Sequence, residues 1–140
     1  MKKLLLILIY LFVSFEVNSE SHDLNGKKLS CDDSISINEL FSMIGFDFSS
    51  KEMVFYQLRT TTGILNIFKG DYKTNPKKIT FSFSGLDNFL LELHRSNLTV
   101  NLKGDDSPLY KCQVLDGDVE IYFKNLQKKI KNELKSNGIR

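Results

Sequence analysis

Leu109-Tyr110-Lys111-Cys112-Gln113-Val114 is the last run of the chain with the period of a β-strand. Tyr110, Cys112 and Val114 fall on one face and Lys111 and Gln113 on the other, as a two-residue repeat requires. Cys112 is one of only two cysteines, and the other, Cys31, lies in the first such run, Lys27–Asp32. Whether these two runs meet decides the fold. In an exported chain an even cysteine count favours a disulfide. A Cys31–Cys112 bridge demands that the first and last strands approach each other. It would close a loop of about 80 residues, worth roughly 4 kcal/mol in the chain-entropy picture. Two separately buried thiols are the alternative. Two cysteines without nearby histidine make a poor metal site, so no metal and no cofactor is expected.

Between the cysteines the chain alternates. Phe46 and Phe48 flank Asp47, and Val54, Tyr56 and Leu58 share a face opposite Phe55, Gln57 and Arg59. Ile64–Phe68 reads as a strand ended by Lys69-Gly70-Asp71, with Tyr72 in a separate short strand. The cleanest alternations are Ile79, Phe81 and Phe83, then Phe89, Leu91 and Leu93, then Leu98, Val100 and Leu102. Their intervening residues are largely polar, the pattern of an antiparallel sheet wetted on one side, with Glu92 and His94 toward solvent. Ser36–Ile44 has apolar residues at mixed spacing and reads either as one helical turn capped by Asn38 or as irregular strand. The expected fold is mainly β with one C-terminal helix. Residues 27–115 form an antiparallel up-and-down meander of about eight strands, which closes, wholly or partly, into a small barrel because closure removes exposed edges.

After the last strand the period becomes helical. Val119, Tyr122, Phe123, Leu126, Ile130 and Leu134 define one stripe of a helix over 117–136, capped by Asp116 or Asp118. Its lysines follow in the later turns, where the helix dipole favours cations.

At the other end, Met1-Lys2-Lys3, an apolar run from Leu4 to Phe15, and Val17 and Ser19 at −3 and −1 have the layout of a signal peptide cleaved after Ser19. The apolar run is shorter than the roughly 18 to 20 residues a spanning helix needs. Residues 20–26 read as a disordered lead-in. Without residues 1–19, which hold Lys2, Lys3 and Glu16, the 19 basic and 17 acidic side chains become 17 and 16. That balance excludes the concentrated basic field of a nucleic-acid binder.

Catalytic chemistry has little to stand on. His22 lies in the lead-in and His94 at a strand end, and no nucleophile motif surrounds either. Asp32-Asp33 and Asp105-Asp106 fall in turns without calcium-loop spacing. Asn97-Leu98-Thr99 matches a glycosylation acceptor, which matters only in a eukaryotic secretory pathway. The chain is not expected to be an enzyme.

Three short motifs carry a resemblance: Asn25-Gly26-Lys27-Lys28-Leu29-Ser30-Cys31, Leu93-His94-Arg95-Ser96-Asn97-Leu98-Thr99-Val100 and Tyr110-Lys111-Cys112. In this order, after a signal peptide and before a lysine-rich helix, they resemble a group of small exported bacterial proteins, a likeness that implies no activity. The chain is also similar, more distantly, to the periplasmic inhibitors of c-type lysozyme. That likeness implies a small antiparallel barrel with one disulfide and a contact loop at Ser84 and Gly85. Asn88 stands where the inhibitors' loop tyrosine is expected.

The leading expectation is a monomeric, exported, non-enzymatic barrel that binds a protein or a small apolar ligand. The alternatives are a hydrolase inhibitor and an envelope protein that uses its basic helix at a membrane surface. An open cavity lined by Phe46, Phe48, Phe81 and Phe83 favours a ligand carrier. A filled interior favours surface binding, and an exposed apolar helix stripe favours the membrane.

Overall fold

The computed structural model describes residues 24–33, 42–83 and 90–138. The expected signal peptide, residues 20–23 of the lead-in, residues 34–41, which take in the first part of the ambiguous stretch, and the Ser84–Phe89 connection lie outside the described residues. The end of that stretch, residues 42–44, is strand.

Eight antiparallel strands follow one another around a closed barrel. They are β1 (Lys28–Asp33), β2 (Ser42–Asp47), β3 (Met53–Arg59), β4 (Leu65–Thr74), β5 (Lys78–Phe83), β6 (Leu90–His94), β7 (Thr99–Leu102) and β8 (Tyr110–Val114). The helix α1 (Val119–Ser136) follows. No helix among the described residues is long and apolar enough to cross a membrane.

Each strand pairs with its sequence neighbour, and β8 returns to pair with β1. Cys31 stands directly opposite Cys112 in that last pairing, and the two form a disulfide. Both side chains are buried inside the barrel. The bridge therefore sits on the seam that converts a meander into a ring. Nearby, the Ser42 and Tyr110 hydroxyls share a buried hydrogen bond of 2.8 Å, which ties the start of β2 to the start of β8.

The lead-in is ordered where it is described. Leu24 is buried in the barrel core. Its carbonyl accepts from Lys27 N–H, and Gly26 N–H donates to the Phe48 carbonyl at 3.2 Å. Residues 24–26 are thus a packed turn rather than a loose leader, because an apolar side chain at position 24 can close the end of the barrel.

β4 also differs from expectation. It runs without a break from Leu65 to Thr74, through the Lys69-Gly70-Asp71 segment that reads as a stop. Gly70 pairs with Met53 on one side and Phe83 on the other. Its lack of a side chain serves a strand shared by two neighbours rather than a turn.

The helix begins where Asp118 Oδ1 accepts the Ile121 N–H at 2.9 Å. Its apolar stripe lies on the outside of the barrel. Val119 and Phe123 pack with Tyr56 and Leu58, flanked by Met43, Val54 and Leu65. β3 is therefore buried on both faces: Met53 and Phe55 point into the barrel, while Tyr56 and Leu58 point to the helix. The closest approach is over Gly45 of β2. A side chain there would collide with the Phe123 ring, and the Leu29 carbonyl would lie 3.1 Å from its Cβ.

Candidate functional site

An eight-stranded barrel offers its interior, its two ends and its outer wall. Among the described residues, aromatic and aliphatic side chains pack along the axis. Phe46 and Phe81 are fully buried and stack with ring centroids 4.8 Å apart. Phe48 and Phe55 lie against Phe46 at 5.8 and 5.3 Å. Leu29, Ile44, Met53, Leu93 and Val100 complete the packing. Alternating large apolar residues on strands of this spacing meet at the axis, which is how small barrels exclude a cavity.

At the end marked by Lys28, Asp47 and Thr74, the packing stops short. A cavity of about 260 Å³ opens there, lined by Leu24, Phe48, Tyr72, Thr74, Ile79 and Arg95, with Asn25 beside them. Tyr72 meets Phe48 edge to face at 5.4 Å. The Arg95 guanidinium donates to Thr74 Oγ1, and Arg95 N–H donates to the Lys77 carbonyl at 2.9 Å. Asn75 Oδ1 accepts from the N–H groups of Lys77 and Lys78, both at 2.9 Å, which shapes the β4–β5 turn beside it.

The opposite end, marked by Arg59, Leu65 and Leu90, carries exposed apolar side chains. Ile64 and Ile67 are each more than a third accessible; Phe68, on the other face of β4, stacks on Phe55 at 6.2 Å. β5 ends and β6 begins at this end, since Ser82 pairs with Leu90. The proposed contact residues Ser84 and Gly85 belong to that connection and lie outside the described residues.

On the outer wall, Glu92 is buried rather than solvent-facing. Its carboxylate accepts from Lys78 Nζ at 2.8 Å, so the charge is paired where it is least hydrated. Asn101, its cross-strand neighbour, is also buried, and its Nδ2 donates to the Asp105 carbonyl. Polar intervening positions on β6 and β7 suggest a wetted wall, but Glu92 and Asn101 are buried there, each with a polar partner.

His94 is half-buried beside Asn75, Pro76 and Lys77. Among the described residues, no three His, Cys, Asp or Glu groups gather closely enough to hold a metal ion. One ionisation is displaced: burial under α1 raises the Tyr56 phenol above its ordinary value of 10.0, helped by the negative charges of Glu120, Asp47 and Asp118.

The cysteines are the sequence-derived residues that the fold brings together. The cavity at the Thr74 end had no local signal, because Leu24, Phe48, Tyr72, Ile79 and Arg95 are far apart in the chain and converge only through strand register. No protein-family model, curated protein or solved structure matches this chain.

Proposed function

We propose that this chain is an exported, non-enzymatic β-barrel that binds a protein partner at its surface. The observation that carries this reading is the aromatic packing along the barrel axis among the described residues. Sites for drug-sized ligands occupy roughly 300–1,000 Å³, and here Phe46, Phe48, Phe55 and Phe81 take up the axial space instead. The disulfide supports an oxidising destination, where such bridges persist. The exposed Ile64 and Ile67 supply apolar surface of the kind that interfaces bury. The stripe of α1 is largely spent on the barrel and Ile121, off that stripe, is exposed alone, which leaves the membrane reading with little apolar face to insert.

A photo-crosslinking side chain at position 64 or 67, used in the producing cells, tests this. A discrete protein adduct from these positions but not from position 104 is expected. Indistinguishable adduct patterns from all three would count against it.

A second reading, inhibition of a c-type lysozyme, is favoured by one observation: the closed antiparallel barrel with one disulfide is the architecture that resemblance implies. Stoichiometric loss of lysozyme activity is expected. Full activity at large molar excess ends it.

A further inference from the structure

We propose that the cavity at the Thr74 end of the barrel is a second binding site, and that it takes a small neutral aromatic molecule of one or two rings. It lies at the opposite end from Ile64 and Ile67 and does not depend on a protein partner there.

The walls set the chemistry. Four of the seven lining residues, Leu24, Phe48, Tyr72 and Ile79, are apolar or aromatic. Leu24, Phe48 and Ile79 are buried members of the barrel core, so the floor of the cavity is the unfinished end of that core. Tyr72 is half-buried and meets Phe48 edge to face at 5.4 Å. Two rings already in the lining favour a third, because aromatic pairs gain from offset and edge contacts beyond the area they bury.

Size narrows the guest. The volume of about 260 Å³ falls below the roughly 300–1,000 Å³ of drug-sized sites. It exceeds the roughly 150 Å³ apolar cavity known to hold benzene. One ring or two fused rings fit. Asn25 and Thr74 in the lining are exposed, so a guest enters without parting any strands.

Charge narrows it further. The Arg95 guanidinium donates to Thr74 Oγ1, and its backbone N–H donates to the Lys77 carbonyl at 2.9 Å, so Arg95 and Thr74 are parts of the wall. The hairpin outside carries both signs: Asp71 and Lys73 on β4, and the Lys78–Glu92 ion pair. A charged guest would shed its water against Leu24, Phe48 and Ile79 at a cost. A neutral ring gains by the same exchange.

The test is a titration of the disulfide-bonded exported protein at neutral pH, followed by amide NMR shifts, with phenol, indole, cyclohexanol and benzoate. Saturable shifts centred on Leu24, Phe48, Tyr72 and Ile79 are expected with phenol and indole. Benzoate, which adds a charge to the ring, should bind about ten-fold more weakly or worse. Cyclohexanol, which keeps the size of phenol without its aromatic face, should also bind more weakly than phenol. Leu24→Phe, which puts a larger side chain into the cavity, should abolish saturation. Tyr72→Leu, on the half-buried wall, should bring phenol down to the level of cyclohexanol. Amide dispersion reports that each barrel is intact. The proposal is overturned if neither phenol nor indole saturates, if benzoate or cyclohexanol binds as tightly as phenol, if the shifts centre on Ile64 and Ile67, or if a folded Leu24→Phe or Tyr72→Leu chain binds phenol unchanged.

Discussion

Gly45 and Phe123 meet where there is no room for a single further carbon. The helix is held at contact distance on the β1–β3 wall by that absent side chain, so the position tolerates only hydrogen. Gly45→Ala should destabilise the fold by about 1–3 kcal/mol, because an aromatic ring backed by a helix cannot swing away cheaply. Chemical denaturation measures this, and Phe123→Leu in the same chain should recover part of the loss. Tyr56, stacked on Phe123 with centroids 5.6 Å apart, reports the same contact electrically. Its folded value lies above 10, so the native state favours the protonated phenol. The associated stability is present below pH 10 and drains away as pH climbs through the folded value. Tyr56→Phe should therefore show a shallower loss of stability above pH 10 than the parent chain, as followed by thermal melts at stepped pH.

At the scale of elements, β8 is held unequally on its two sides. Five residue pairs and the disulfide join it to β1, whereas its register with β7 spans two, Thr99–Lys111 and Val100–Tyr110. Two further bonds extend that thin seam, from Leu109 N–H to the Val100 carbonyl and from Cys112 N–H to the Leu98 carbonyl. Leu98 takes the left-handed conformation, φ 54°, with its side chain buried. An apolar residue tolerates that backbone because its burial offsets the strain. Replacing both cysteines by alanine removes a cross-link between residues 81 apart and should cost roughly 2–5 kcal/mol. A denaturant midpoint unchanged by the double substitution would contradict this.

For the whole molecule, the sequence made the closed meander legible through the alternating runs and the two cysteines. The runs at Ile79–Phe83 and Leu98–Leu102 follow the period-two rule because each has one face inside the barrel. Less legible was Met53–Leu58, which is apolar on both faces. Its second face belongs to α1, and a helical stripe at Val119–Leu134 carries no label for the wall it will cover. Glu92 misled because periodicity reports which way a side chain points, not whether it is buried against a neighbour such as Lys78. Of the candidate sites, Cys31 and Cys112 were readable from their count and position. The Arg95 mouth was not, since no local pattern encodes a convergence of five separate segments.

The seam between β1 and β8 has a consequence for time as well as for stability. Seven of the eight strand pairings join sequence neighbours and can form as successive hairpins, each with a short loop to close. The eighth must wait for residues on either side of an 81-residue separation to find each other, and that search carries the largest entropy of the folding reaction. A chain whose bridge survives unfolding has already completed the search. Refolding from urea with the disulfide intact should be at least about ten-fold faster than refolding of the Cys31→Ala, Cys112→Ala chain, as stopped-flow fluorescence of Tyr56, Tyr72, Tyr110 and Tyr122 would record. Equal rates would mean that the ring closes only after the rate-limiting step, and that the bridge acts as a lock on the finished barrel rather than as a guide to it.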